Sequence, residues 1–359
     1  MPVSTGVPVV AGARRPVAPA ATLFVLAPLI GEVLFGALPL SQLPFGLLGL
    51  IGLYGGGALL VRETARRRRL SAWWVVVLGT AYGIFEEGTV VQSLFDQHYR
   101  GLDFLGFYGH WAGVNWVWSL FIVPYHAVFS ITIPIALAEG LYPSERRTSW
   151  LGDAGLIGVA AIFAANAALL AVFQTHLFTP SAPDVSLAAN GVALVAIIVL
   201  VTAALRAPAA YVEPDFSRAD VRAPDQPASS RRQLWWVGFG SGLAWFVGYR
   251  VLVIGTGTNM PAGAAVAIGV LTLLAIVWLT ARVASPRRQW SPESTYALVA
   301  GALPTCWLLG FLIAAVSGGN PIVNLAGHVV FGVLMFLGLR VVRRRLSAAA
   351  AVRALGSGL

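Results

Sequence analysis

The chain of 359 residues is 57% hydrophobic and only 11% charged, with a mean hydropathy of +0.77. A soluble domain carries about 25% charged residues, so this composition excludes one and indicates an integral membrane protein. One cysteine, Cys306, excludes an internal disulfide and a cysteine-based metal cluster, and the formal charge of +9 is a topology signal rather than a nucleic-acid footprint.

The chain opens with a cytoplasmic tail, 1–20, that holds Arg14 and Arg15. The apolar run after it is long, carries Glu32 and lacks a small-x-small cleavage site, so it reads as a retained span rather than a signal peptide. A helix needs roughly 20 apolar residues to cross the hydrocarbon core. Ten segments qualify: about 21–40, 45–63, 71–94, 114–140, 151–176, 187–205, 234–254, 262–283, 295–316 and 321–342. Helices one to six fill 21–205 and helices seven to ten fill 233–345. A proline- and charge-rich stretch, 206–232, reads as a flexible cytoplasmic linker, and 346–359 as a cytoplasmic tail.

With the N-terminus inside, 22 of the 24 basic residues fall at inner ends, and only Arg100 and Arg250 lie elsewhere. The positive-inside rule therefore supports an all-α polytopic membrane protein of about ten transmembrane helices, with both termini cytoplasmic, in a bacterial cytoplasmic membrane. Membrane lipids are the expected partners, and nucleic acid is not one. The outer loop at about 95–113 is dense in aromatic residues, which suits an interfacial belt, or else a lid over a site.

Span three raises the chemical question. Its outer half reads "YGIFEEGTVVQSLF", with adjacent carboxylates Glu86 and Glu87. Neighbours on an α-helix differ by about 100°, so the two point differently. Glu86 shares a polar stripe with Tyr82, Thr89 and Ser93. Glu87 shares one with Gly83, Val90 and Leu94, which predicts a close-packed or apolar surface. Glu32, Arg250, Asn324 and His328 lie at similar outer depth, with His126 slightly deeper and Ser119 or Ser130 on its own face. An ionised side chain at mid-bilayer costs at least about 2.5–3.5 kcal/mol, so convergence into one cavity open to the outside is the economical arrangement.

Three chemistries could use such a set. In a membrane-embedded hydrolase of a lipid or peptide, Glu86 activates water, His126 and His328 position it or polarise a carbonyl, and Asn324 or Arg250 stabilises an oxyanion. Glu87, Glu32, Arg250 and Tyr82 would then contribute to binding. No cofactor is required by the sequence, but Glu86, His126 and His328 could also hold a divalent metal. In a transporter or proton-coupled carrier the same carboxylates bind a small-molecule substrate or protons; "YGGGALL" at 54–60, Pro124, Pro134, Pro304 and "SGGNP" at 317–321 supply the helix interruptions such proteins use. The third chemistry is bis-histidine haem through His126 and His328.

"EEGTVVQ" at 86–92, followed by His126 and then Asn324 and His328, resembles the glutamate–histidine–histidine/asparagine pattern of the CPBP (Abi) intramembrane protease family, which includes the CAAX prenyl proteases. The resemblance covers four short patches. It implies Glu86 as water activator, His126 and His328 as its partners, and Asn324 in the oxyanion role. This chain has Val91 where the family's pattern has arginine, and Asn324 precedes rather than follows the last histidine. The pattern of spans is also similar to polytopic membrane proteins of GC-rich bacteria, a likeness that implies no activity.

Overall fold

The structure is a computed structural model that describes residues 17–99, 107–174, 187–209, 229–255, 259–283 and 291–356. Arg14, Arg15, Arg100, Arg287, Arg288 and most of the expected linker, 210–228, lie outside the described residues.

Ten helical stretches follow one another along the described chain. They are α1 (Val17–Val33), α2 (Leu40–Arg67), α3 (Ala72–Ile84, continued by a wide-turned segment Phe85–Val90), α4 (Trp116–Leu141) and α5 (Asp153–Phe173). Then come α6 (Leu187–Arg206), α7 (Arg231–Leu243, continued by Ala244–Gly255), α8 (Ala262–Val283), α9 (Pro292–Val316) and α10 (Pro321–Gly356). The architecture is that of an all-α polytopic membrane protein. Seven of these, α2, α4, α5, α6, α8, α9 and α10, are long and apolar enough to cross a bilayer by length and composition. The other three are α1, a shorter apolar helix, α3, which holds Glu86 and Glu87, and α7, which starts on Arg231 and Arg232 and holds Arg250.

Several boundaries differ from the sequence expectation, each for a local reason. α1 stops early because Gly36 has φ +83°, a left-handed turn that suits glycine. α3 ends at Val90, since Gln92 has φ 61°. α10 continues to Gly356, through the expected tail, because Ser347–Arg353 reads "SAAAAVR" and alanine is the best helix former. Between α3 and α4 a short hairpin pairs β1 (His110–Trp111) with β2 (Val114–Asn115), in the register His110–Asn115 and Trp111–Val114. Its turn residues, Ala112 and Gly113, both have positive φ, 52° and 76°, as a two-residue hairpin of this hand requires. Asn115 then caps α4, its side-chain oxygen accepting from Trp118 N–H at 2.8 Å.

α4 is the central helix and is mostly buried, while α5, α6 and α8 are exposed along most of their apolar length. Lipid is an apolar solvent that covers such faces without a protein partner. Close approaches are set by glycine. A Cβ on Gly79 would lie 2.8 Å from the Ala127 carbonyl, and one on Gly83 would lie 2.9 Å from the Val123 carbonyl, so this Gly-x-x-x-Gly pair lets α3 lie against α4. Gly238 on α7 and Gly301 on α9 make the same kind of backbone approach between those two helices.

At the arginine-rich end a second device joins α2, α4 and the segment before α5. Arg62 is fully buried. It donates to Glu63 at 2.7 Å, to Glu139 at 3.2 Å and to the carbonyls of Glu145 and Arg146 at 3.2 Å, with its guanidinium 3.4 Å from the Trp150 ring centre. Glu63 accepts from Ser149 Oγ at 2.5 Å and Trp150 N–H at 2.9 Å. Arg66 forks onto Glu139 at 2.6 and 2.7 Å. The innermost of these ion pairs, Arg62–Glu63, is fully buried.

The glycine approach can be tested. Gly83→Leu should lower stability by about 1–3 kcal/mol or more through overpacking against backbone. Gly158→Leu, where nothing lies within 4 Å, should be close to neutral. Denaturant unfolding in detergent checks both; equal effects would remove the argument for a glycine-set α3–α4 contact.

Candidate functional site

The acidic pair sits on a local change of helix geometry. In Phe85–Val90 the turns widen, and Val91 N–H bonds the Glu86 carbonyl five residues back at 2.8 Å. Such wide turns are rare and cluster at functional sites. α4 widens in the same way over His126–Thr132. α1 does so over Leu29–Val33, where Leu34 N–H bonds the Leu29 carbonyl at 2.8 Å directly after Pro28, and α7 does so over Ala244–Gly255. Glu32, Glu86, Glu87, His126 and Arg250 therefore all stand on widened segments.

Two carboxylates meet one imidazole. His126 Nε2 lies 2.8 Å from Glu87 Oε1, and His126 Nδ1 lies 3.1 Å from Glu86 Oε2. The relative exposures are 3% for Glu86, 6% for Glu87 and 2% for His126, so the centre is closed within the protein. Sequence reasoning expected a chamber open to the outer side; this state instead holds a shut contact between α3 and α4. Of the close-packed or apolar surface expected for Glu87, the structure has the close-packed form. Gly83, one turn before Glu87, makes the close-packed surface, and a Cβ there would lie 3.3 Å from His126 Cβ. The close approach is what delivers the imidazole.

The surrounding bonds orient each group. Ser93 Oγ donates to Glu87 Oε2 and accepts from Trp118 Nε1–H at 2.9 Å, so Glu87 is held from the far side. Ser130 Oγ lies 3.0 Å from His126 Nδ1. A single N–H at Nδ1 can serve Ser130 or Glu86 but not both. Glu86 Oε2 is left without a well-directed hydrogen bond among the described residues, and so is the buried Tyr82 hydroxyl, whose ring centre is 6.4 Å from that of His126. The Tyr54 hydroxyl donates to Glu32 Oε1 and also stands beside Glu86, and Glu32 acts electrostatically on both Glu86 and His126. Tyr125 on α4 donates to the Gly31 carbonyl at 2.6 Å, fixing α1 to this region.

The other expected site residues have different neighbours. His328 Nε2 lies 2.8 Å from the Trp307 carbonyl, its ring is edge-on to Phe311 with centres 4.7 Å apart, and Trp307 Nε1–H donates to the His328 carbonyl at 3.0 Å. It ties α10 to α9. Asn324 donates to the Gly318 carbonyl at 2.7 Å and accepts from Ser41 Oγ at 3.2 Å, closing the α9–α10 turn onto the start of α2. Arg250 is half-buried with its guanidinium 5.6 Å from the Phe121 ring centre, and no carboxylate pairs with it among the described residues. Glu86, Glu87, His126, Tyr82 and Glu32 are thus brought together, while His328, Asn324 and Arg250 bond elsewhere. Haem ligation is not supported by this arrangement. Both His126 nitrogens face carboxylates or Ser130, and His328 Nε2 faces a carbonyl.

A metal fits a different set from the one the sequence suggested. Glu86, Glu87 and His126 each offer a ligand atom, all within 4.8 Å of one another, and His328 is not among them. Two carboxylates and an imidazole are donors that suit a divalent ion. Sequence reasoning missed Tyr54 and Trp118 as parts of this network. Tyr54 precedes "GGG", and a tyrosine hydroxyl there within an apolar span was the available signal.

The fold and this centre define a multi-pass helical membrane protein with a buried carboxylate–imidazole core. The chain belongs to the family described as "Uncharacterized membrane protein family", whose sequence model matches residues 21–356. Comparison with curated proteins and with solved structures gives no match.

The centre's own electrostatics make a prediction. His126→Ala leaves two buried carboxylates facing each other without a cation and should cost about 3–5 kcal/mol of stability. Adding Glu86→Gln and Glu87→Gln to that variant should recover part of the loss. Unfolding in detergent of wild type, His126→Ala, the Glu86→Gln and Glu87→Gln double variant and the triple variant checks the cycle, and purely additive effects would mean the three side chains do not act as a unit.

Proposed function

We propose that the protein is a cation-coupled membrane carrier, in the bacterial plasma membrane, whose coupling cation, first of all a proton, loads at Glu86, Glu87 and His126. One observation carries this reading: two carboxylates flank both nitrogens of a single buried imidazole. Two carboxylates against one imidazolium leave one surplus negative charge. An uncompensated charge in a dry interior is costly, so the centre must take up a proton or metal cation to remain closed. Releasing that cation favours opening to water. Interrupted helix geometry around intramembrane carboxylates is the arrangement carriers use for substrate and ion sites, and here four helices widen at the polar residues.

A second reading is an intramembrane hydrolase with the CPBP-like set. The Glu87–His126 contact at 2.8 Å favours it, since a carboxylate–imidazole pair can activate water, with or without a divalent metal. It has less support, because at the oxyanion and second-histidine positions Asn324 donates to the Gly318 carbonyl and His328 Nε2 faces the Trp307 carbonyl rather than the acidic pair. In the carrier reading these two residues serve packing.

Infrared difference spectra of the purified protein, taken from about pH 5 to about pH 9, test the loading step. Wild type should show a protonated-carboxyl band that titrates, and Glu86→Gln should diminish it. A spectrum in which no carboxyl signal depends on Glu86 or Glu87 would overturn the proposal. Once a ligand is found, Glu86→Gln separates the readings. A carrier loses the pH dependence of binding; an enzyme keeps binding and loses turnover.

A further inference from the structure

Where α7 packs on α4, one cation and two buried polar groups lack a partner. The widened segment Ala244–Gly255 bonds each residue to the one five back, which brings Trp245 and Arg250 to the same side of α7. Both meet Phe121 of α4. The Trp245 ring stacks on it with centres 6.3 Å apart, and the Arg250 guanidinium lies 5.6 Å from its centre. Tyr249 stacks on Trp245 at 5.1 Å and donates to the Val117 carbonyl at 3.1 Å. Tyr108, just before the hairpin, acts electrostatically on Tyr249. One aromatic cluster therefore gathers the Trp245 indole N–H, the Tyr108 hydroxyl and Arg250. Trp245 and Tyr108 are each 5% exposed, yet neither the indole nitrogen nor the hydroxyl has a hydrogen-bond partner among the described residues. Arg250 is only partly covered, and no acid among the described residues pairs with it. An indole N–H and a guanidinium can only donate, and a buried donor or cation left alone is costly. What the cluster lacks is an acceptor that carries negative charge.

We propose that Arg250, Trp245 and Tyr108 form a binding site for a small organic anion, a monocarboxylate on an apolar or aromatic body. The guanidinium fork matches a carboxylate, and one uncompensated cation calls for one negative charge. The rings of Phe121, Trp245 and Tyr249 suit an apolar body rather than a hydrated one. Trp118 connects this site to the acidic centre. Its ring centre is 5.8 Å from that of Phe121, and its Nε1–H donates to Ser93 Oγ, which in turn donates to Glu87. As the substrate that travels with the loaded cation, the anion rests on the carrier reading above; its binding at Arg250 does not.

The test uses the full chain in detergent, with thermal unfolding and titration calorimetry as readouts. The probes are benzoate and hexanoate, set against benzamide and inorganic phosphate. The two carboxylates should bind saturably and raise the unfolding temperature, and benzamide, the same body without the charge, should not. Arg250→Gln should weaken benzoate roughly tenfold or more, and Trp245→Phe roughly fivefold, as expected for a charge-assisted and a neutral hydrogen bond. Without ligand, Arg250→Gln should be no less stable than wild type, since it removes a charge that no acid balances, so its loss of binding is not a folding defect. Arg282→Gln is the control: that guanidinium also lies over a ring, 5.4 Å from the Trp278 centre, but in the last turn of α8, and the variant should bind benzoate like wild type. The infrared titration of Glu86 uses no anion, so the anion site and the cation-loading step fail separately. Stabilisation by benzamide equal to that by benzoate, stabilisation by phosphate alone, or unchanged benzoate affinity in Arg250→Gln would overturn the proposal.

Discussion

An imidazole held between two acids, in a place that water does not reach, constrains everything near it. Neither acid could be buried alone at modest cost, and the ring between them is what makes their burial tolerable. To bring the ring there, α3 and α4 must approach more closely than ordinary side chains allow, which is why Gly79 and Gly83 face the carbonyls of Ala127 and Val123. To bring both adjacent acids to one ring, the helix must depart from regular α geometry, and it does so in Phe85–Val90. Ser93, Ser130 and Trp118 then orient what the backbone has assembled.

The opposite end of α4 is anchored by different chemistry. His126 and Glu139 are 13 residues apart on α4, roughly 20 Å at 1.5 Å per residue. One terminus of that distance is a dry acid–imidazole contact; the other is an arginine network satisfied by carboxylates and carbonyls. α4 thus joins the two polar regions of a largely apolar body. The outlying helices α5, α6 and α8 present most of their apolar length to lipid.

The number of helical stretches was legible because apolar length is written directly in the chain. The identity of Glu86, Glu87 and His126 was also legible, since charged residues inside apolar runs are conspicuous. What escaped was azimuth. Depth placed His328 and Asn324 at the level of the acids, but depth says nothing about which way a side chain turns, and their partners are carbonyls of Trp307 and Gly318 that no sequence pattern marks. Arg250 likewise meets the Phe121 ring rather than a carboxylate. The assumption of 100° per residue separated Glu86 from Glu87, and the widened turns undid that assumption. The Gly-x-x-x-Gly spacing at 79 and 83 marks a close helix contact that the sequence reading did not use, and it does not by itself name the partner helix.

The widened segments have a mechanical corollary. Each carries one residue more than a regular turn accommodates, so the hydrogen-bond ladder can hand that surplus residue to its neighbour by exchanging partners one at a time. Such a migration turns the intervening side chains by about a quarter of a revolution while leaving the rest of the helix in register. On α3 this would swing an acid away from its imidazole without unfolding anything, which makes the backbone of Phe85–Val90 a rotary joint as well as a support.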